Sequence, residues 1–449
     1  MVELLKISGR NPVTYNKFKM KSKLVLMICV GLGITMSACK ETGNTSKKAP
    51  EYEFLSNPES VGFSTERLAR IDTMLTEYVS KGMMPNAVTF VSRYGKVVHN
   101  KAFGWKNIET KEPVELNSIF RIASQTKALT SVGLMILYEK GKFLLDDPIS
   151  HYIPEFKNPQ VIVSINAKDS SYTSRPAKRE ITIRHLLSHS SGIPYPNIVY
   201  EKAGIPAVNS LEPITIAEVV KKIAKLPLDR DPGESFTYGL NTDVLGYLIE
   251  VLSGMPLDEY LRKELFEPLE MKDSYFYLPD DKASRLVSLY SKDSLNTPLH
   301  ICKNKSNCSY PVAGAKTYFS GGAGVVGTVK DYANFCKMLL NEGSFNGKQV
   351  LGRKTIDLMR TNQIGENDVL GNENRFGLGF EINTERGVAK FPGSVGAFGW
   401  GGMYTTDYII DPLEDMIIII YTNAEPFANP NINRRFRNMA YEALIDTRI

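Results

Sequence analysis

Four consecutive isoleucines, Ile417 to Ile420, lie in the run MIIIIYTN near the end of the chain. The run is bounded too closely to be a long helix, and its unbroken apolar character suits a strand buried on both faces. Just before it comes GGMYTTDYIID, separated by the turn Pro412-Leu413-Glu414-Asp415. The other clear strand signal sits near the opposite end of the chain. There NAVTFVSRYGKVVHNKAFGW carries β-branched runs on either side of Tyr94-Gly95 and reads as a hairpin. Residues 146–309 between them hold several helical patterns, Pro-rich turns and a polar excursion, NAKDSSYTSRPAKRE, with few strand signals. Strands at both ends and helices in the middle imply one α/β layer built from both ends of the chain, with a mostly helical domain inserted. The expected division is 59–145 with 310–449 for the α/β part and 146–309 for the insertion.

Helices flank the strand signals. STERLARIDTMLTEYVSKGM opens with a cap signal and repeats apolar residues at Leu68, Ile71, Leu75 and Val79. NINRRFRNMAYEALI closes the chain as a helix. A length of 449 residues with 43% hydrophobic and 23% charged residues is that of a globular protein with a large core, in two intimate domains or one large one.

Charge is informative through its location. The formal net charge is +5. Residues 1–38 account for all of it, with Lys6, Arg10, Lys17, Lys19, Lys21 and Lys23 against Glu3 alone. The remaining 48 basic and 48 acidic residues cancel, which leaves no electrostatic footprint for nucleic acid. Lys19, Lys21 and Lys23 precede the apolar run Leu24 to Met36, followed by Ser37-Ala38-Cys39. That order describes a secretory signal, too short for a comfortable membrane span. Small residues directly before a Cys resemble a bacterial lipobox, so residues 1–38 are expected to be removed and Cys39 lipidated. A plain signal peptide or an anchor helix fits the same residues, and Met20 is an alternative start. Residues 39–58 read as a flexible tether. The expected location is therefore the cell envelope, lipid-anchored, at the outer membrane.

Cys302 and Cys308 bracket KNKSN in a polar loop and can form a small local disulfide. Cys336, in YANFCKMLL, reads as a buried thiol. No Cys/His spacing suggests a metal site, and no metal or organic cofactor is expected. His185 and His189 stand four apart in ITIRHLLSHSSGIPY, but without the Glu of a metalloprotease helix. They read as core or capping histidines.

Three stretches can carry chemistry. In Ser124-Gln125-Thr126-Lys127, residues i and i+3 share a helical face, so a hydroxyl and an amine come within hydrogen-bond reach. A neutral lysine takes a seryl proton only if burial or a neighbour lowers its pKa. The pattern is cheap, since Ser37 and Lys40 repeat it in the leader region. Tyr238, in DPGESFTYGLNTDVLGYLIE, can serve as a relay hydroxyl or merely pack as one of 22 tyrosines. Gly399, Gly401 and Gly402 surround Trp400 at the start of a strand, where backbone N–H groups can meet an oxyanion or simply form a turn.

The order and flanks of these stretches are more specific. FRIASQTKALTS, LLDDPISHYIPEF, ITIRHLLSHSSGIPY, PGESFTYGLNTDVLGYLIE, SGGAGVVGTVKDYANFCKMLLN and FGLGF…GWGGMYTTDYIIDP resemble the serine β-lactamase-related family. Within it they are most similar to the class C-like branch that includes family VIII carboxylesterases. The resemblance runs from about Ser64 to the C-terminus. It implies a β-lactamase/transpeptidase-like fold, an antiparallel sheet flanked by helices. It also implies Ser124 as the acylated nucleophile, Lys127 as its base and Tyr238 as a proton shuttle. The main-chain N–H groups of Ser124 and Met403 would form the oxyanion hole. Trp400-Gly401-Gly402 stands where the third motif usually reads Lys-Thr-Gly or His-x-Gly. Tyr238-Gly239-Leu240 departs from Tyr-x-Asn, with Asn241 one place late. Trp400, Gly401, Gly402, Leu240 and Asn241 are thus expected to line an apolar substrate cleft. The expected function is an exported serine hydrolase acting on small-molecule carboxylic esters. The alternatives are a β-lactamase or D-amino-acid peptidase or carboxypeptidase, and a catalytically silent binding protein on the same fold.

Overall fold

The computed structural model describes residues 52–55, 57–206, 208–294, 297–425 and 431–446. The proposed signal, Cys39 and most of the tether lie outside the described residues. Among the described residues, no helix is long and apolar enough to cross a membrane.

The strand signals from both ends of the chain meet in one sheet. Strands β1 (Glu53–Phe54), β2 (Asn86–Arg93) and β3 (Lys96–Asn107) come from the N-terminal part. The C-terminal part supplies β4 (Arg375–Phe376), β5 (Glu381–Ile382), β6 (Phe398–Gly402), β7 (Thr406–Asp411) and β8 (Met416–Tyr421). The order is β1-β3-β2-β8-β7-β6-β5-β4, with a ninth short strand, Glu112–Pro113, paired to β3. All pairings are antiparallel except β1 with β3. The central junction pairs β8 with β2, placing Ile419 opposite Phe90.

The isoleucine run explains why the sheet is covered on both sides. Successive side chains of a strand point to opposite faces. Ile417 and Ile419 enter the main core with Tyr408 and Ile410, while Ile418 and Ile420 enter a second core with Ile409. Helix α1 (Thr65–Ser80) covers the second face through Leu68, Ile71 and Leu75, and the Ser64 hydroxyl caps it by accepting the Arg67 N–H at 3.2 Å. Helix α2 (Thr126–Glu139) is largely apolar, and every residue from Thr126 to Leu137 is buried. It runs through the main core, where periodicity alone would not distinguish it from a strand.

The middle of the chain contributes α3 (Ile183–Leu187), α4 (Asn241–Ser253) and several shorter helices. Its polar excursion supplies the turn and second strand of a β-hairpin, Gln160–Ile165 with Tyr172–Pro176. The strands are largely exposed, so no apolar alternation announces them. Helices α5 (Val329–Leu340) and α6 (Ile432–Glu442) complete the two layers. Cys302 and Cys308 are disulfide-bonded, and Cys336 is a free buried thiol on α5.

Candidate active site

Ser124 does not sit inside the α-helix but in a single 3-10 turn, Ala123–Gln125, that leads into α2. Ala123 holds φ 44°, a left-handed conformation that costs a residue with a Cβ of order 1–3 kcal/mol. The turn is held from outside. The Arg121 N–H donates to Asn423 Oδ1 at 3.0 Å, and the Asn423 amide returns a bond to the Arg121 carbonyl at 3.2 Å.

Lys127 lies one turn on, 2% exposed. Its Nζ donates to Ser124 Oγ at 3.2 Å, Tyr195 OH at 2.8 Å and the Gly322 carbonyl at 2.8 Å. All three ammonium protons are therefore matched by acceptors. The same nitrogen stands 4.8 Å from the centre of the Tyr238 ring and 5.4 Å from that of Tyr195. Tyr238 OH accepts the Trp400 indole N–H at 3.1 Å. The rings of His189, Tyr195 and Trp400 surround Tyr238 at centroid distances of 5.0, 5.3 and 5.2 Å. Ser124, Lys127, Tyr238 and Trp400 thus come together from α2, the approach to α4, and β6.

The electrostatics separate the two tyrosines. Burial opposes the Lys127 ammonium, but the Tyr195 and Tyr238 phenols, with Asp243 behind them, outweigh it and raise the pKa. Burial likewise pushes the Tyr238 phenol up, yet the Lys127 charge and hydrogen bonds with Ser124 and Trp400 bring it below the ordinary tyrosine value. For Tyr195, burial wins and the phenol is pushed up to about 12. A lysine acting as base would need a lowered pKa, and this site does the opposite. The physical reason is the ring of oxygen acceptors around Nζ.

Tyr195 and Asp243 are the site residues that sequence reasoning missed. Tyr195 ends the stretch ITIRHLLSHSSGIPY, where only its flanking pattern was visible. Asp243 accepts from Ser320 Oγ at 2.6 Å and Tyr318 OH at 3.2 Å, close behind Gly322. A Cβ added at Gly322 would stand 2.5 Å from Asp243 Oδ2 and 3.6 Å from Lys127 Nζ, so no side chain fits between acid and ammonium.

The third stretch reaches Ser124 from β6. Gly402 packs so closely on Ile122 that an added Cβ would collide with the Ile122 carbonyl. Thr406, its partner across the hairpin, donates to the same carbonyl at 3.3 Å. Met403 follows in the turn, 38% exposed. Among the described residues, neither the Ser124 nor the Met403 main-chain N–H has a hydrogen-bond acceptor. An oxyanion hole is built from main-chain N–H groups left free in this way.

Two expected cleft residues are elsewhere. Leu240 is 1% exposed and belongs to the main core. Asn241 is fully buried, and its amide is committed to His189, Ile193 and Thr237 rather than to a cleft. As the first residue of α4 it turns inward, where one extra place of spacing directs it. The histidines are structural in placement: His185 Nδ1 accepts the Thr182 N–H at 3.1 Å in a capping box, and His189 is buried.

The chain matches the Beta-lactamase family over residues 71–441. Esterase EstB of Burkholderia gladioli is 26% identical over 374 residues, 79% of this chain and 90% of that protein. The N-acetylmuramyl-L-alanine amidase of Bacillus subtilis is 27% identical over 444 residues, 92% of this chain and 95% of that protein. Among solved structures, EstCE1, described as a hydrolase with promiscuous acyltransferase activity, superposes with a TM-score of 0.71 at 25% identity. It covers 85% of this chain and 99% of its own. With a mixed sheet covered by helices on both faces and a family match across most of its length, this chain belongs to the beta-lactamase family and is a serine hydrolase of that fold.

Proposed function

We propose that the protein is an exported carboxylesterase that works through an acyl-enzyme on Ser124. The observation that carries the ester reading is Trp400. Its indole N–H is committed to Tyr238 at 3.1 Å, and its ring packs on Phe376 at 5.4 Å, where a β-lactam or peptide enzyme would offer a cation to the substrate carboxylate. An apolar cluster of Ile364, Val369 and Phe376, with Phe236 and Trp400, extends that wall. The similarity to a protein named as an esterase supports the same reading.

The acid–base assignment follows from the split between the tyrosines. Where neighbouring titratable groups are pushed apart, the one made more acidic is the proton acceptor. Tyr238, as phenolate beside the Lys127 ammonium, takes the Ser124 proton as Oγ bonds to the ester carbonyl carbon. The oxyanion is met by the Ser124 and Met403 N–H groups. As the C–O bond to the alcohol breaks, Tyr238 returns its proton to the leaving oxygen. Water then repeats the sequence and frees the acid. Lys127 stays charged throughout and holds the phenolate.

The test sets a short-chain p-nitrophenyl ester against a chromogenic cephalosporin, with Ser124→Ala as control. Ester turnover should fall by at least about four orders of magnitude in the variant, with little cephalosporin turnover by the parent. Fast cephalosporin hydrolysis that depends on Ser124 would overturn the ester reading and favour amide-like substrates. Export and anchoring rest on the leader: labelling with an alkynyl fatty acid should tag the protein and be lost in Cys39→Ala.

A further inference from the structure

Tyr238 has a side chain gripped at its hydroxyl, but what fixes its backbone is less obvious. The answer lies in the loop that follows α3, residues 188–195. The Thr237 N–H donates to the His189 carbonyl at 2.6 Å, and the Thr237 carbonyl accepts from Asn241 Nδ2 at 3.2 Å. Both backbone groups of the residue before Tyr238 are thereby held. On the other side, a Cβ at Gly239 would run into the Ile193 carbonyl and the Pro194 backbone, and the Leu240 N–H reaches the Pro194 carbonyl at 3.3 Å. The same loop ends in Tyr195, whose hydroxyl meets Lys127.

Asn241 closes this arrangement. Its Nδ2 faces the carbonyls of Ile193 and Thr237 and the Nδ1 of His189 at 3.0 Å, while its Oδ1 accepts from the Ser191 hydroxyl. Two carbonyl partners fix which end of the amide is the donor. His189 Nδ1 is therefore an acceptor, and the ring is neutral with its proton on Nε2. Burial and the nearby Lys127 charge favour that neutral form as well. His189 holds φ 53°, a strained conformation that the surrounding bonds must impose. Its ring packs against Tyr238, Phe376 and Phe236.

We propose that Asn241 and His189 are positioning residues for Tyr238. Asn241 pins the 188–195 loop to the backbone that carries the tyrosine, and the neutral His189 ring keeps the phenol over Lys127. The amide that other members of the resemblance would show to substrate is here turned inward to serve the relay. This rests on the reading of Ser124 as nucleophile and Tyr238 as proton acceptor. The titratable groups facing Tyr238 are Lys127, Tyr195 and His189, with Asp243 behind Lys127.

The experiment measures kcat, KM and the pH dependence of kcat/KM for a p-nitrophenyl ester, normalised to active sites counted by burst amplitude. In Asn241→Ala, kcat should fall about 10- to 100-fold with KM within about twofold, because a displaced proton acceptor costs the chemical step rather than binding. The acid limb should move to higher pH, as a loosened phenol loses its partners. His189→Phe keeps a ring but loses the Asn241 bond, and should move the same limb by less. Should Asn241→Ala fail to fold, His189→Phe decides alone. Unchanged kcat and acid limb per titrated site, whatever the melting temperature, would overturn the positioning role. Turnover that survives Ser124→Ala would instead overturn the catalytic reading beneath it.

Discussion

Lys127 is the residue on which the site's electrostatics turn, because its three donors face a serine, a tyrosine and a carbonyl. Its pKa is raised and that of Tyr238 is lowered, so each group favours the charged form of the other. The sign for activity follows. Below the Tyr238 pKa the phenol is protonated and cannot accept from Ser124, so kcat/KM should climb with pH along an acid limb that lies beneath the ordinary tyrosine range. It should then hold until Lys127 loses its proton, above the ordinary lysine range. Lys127→Met removes the charge that lowers Tyr238, and burial is then opposed only by the bonds with Ser124 and Trp400. The acid limb should move well toward alkaline pH, with kcat at neutral pH reduced by about 10³ or more. An acid limb unmoved by Lys127→Met would assign it to another group. Trp400→Ala should act differently, altering the preference among ester chain lengths more than the rate for the smallest ester.

At the scale of elements, the site depends on how tightly strand β6 approaches the turn that bears Ser124. Gly402 makes that contact, and a methyl group there would meet both the Ile122 carbonyl and the Thr406 hydroxyl. Gly402→Ala should therefore push β6 away from Ser124, costing about 1–3 kcal/mol of stability and lowering kcat through the displaced Met403 N–H. Urea unfolding and burst kinetics on the same preparation would read both effects. An unaltered burst would mean that the Met403 end of β6 does not serve the oxyanion. The glycine was visible in the sequence as a mark of close approach, and the Ser124–Lys127 spacing as one face of a helical turn. The long strands were legible for the same reason, since β2 and β8 are buried over their whole length. Tyr195 and Asp243 were not, because an interaction with Lys127 made from distant segments leaves no local spacing to read. Asn241 was misplaced for a related reason: one residue of offset at the start of a helix decides whether an amide faces a cleft or the interior, and only packing settles that.

The whole molecule converges on the segment just before Ser124 through Arg121. Its guanidinium is buried and donates to three carbonyls, those of Val287 at 2.9 Å, Cys308 at 2.7 Å and Tyr310 at 2.7 Å. One of these belongs to the disulfide loop, and all three come from the stretch that leads from the middle of the chain back to the sheet. Burial pushes the guanidinium down to about 10 even though Tyr404 and Tyr310 favour its charge. A buried cation is tolerated only where its donors are matched, and here the chain brings three acceptors to one arginine. Replacing it with an apolar side chain of similar length leaves three inward-facing carbonyls without a donor. Arg121→Met should therefore cost about 3–5 kcal/mol, larger than the loss of any one neutral hydrogen bond. It should appear as a lower urea midpoint. The rate per titrated active site should fall less, because Asn423 still holds the main chain of residue 121 through both its N–H and its carbonyl. A midpoint within experimental error of the parent would mean that water replaces the guanidinium, and that the return of the middle segment to the sheet is secured by apolar packing instead.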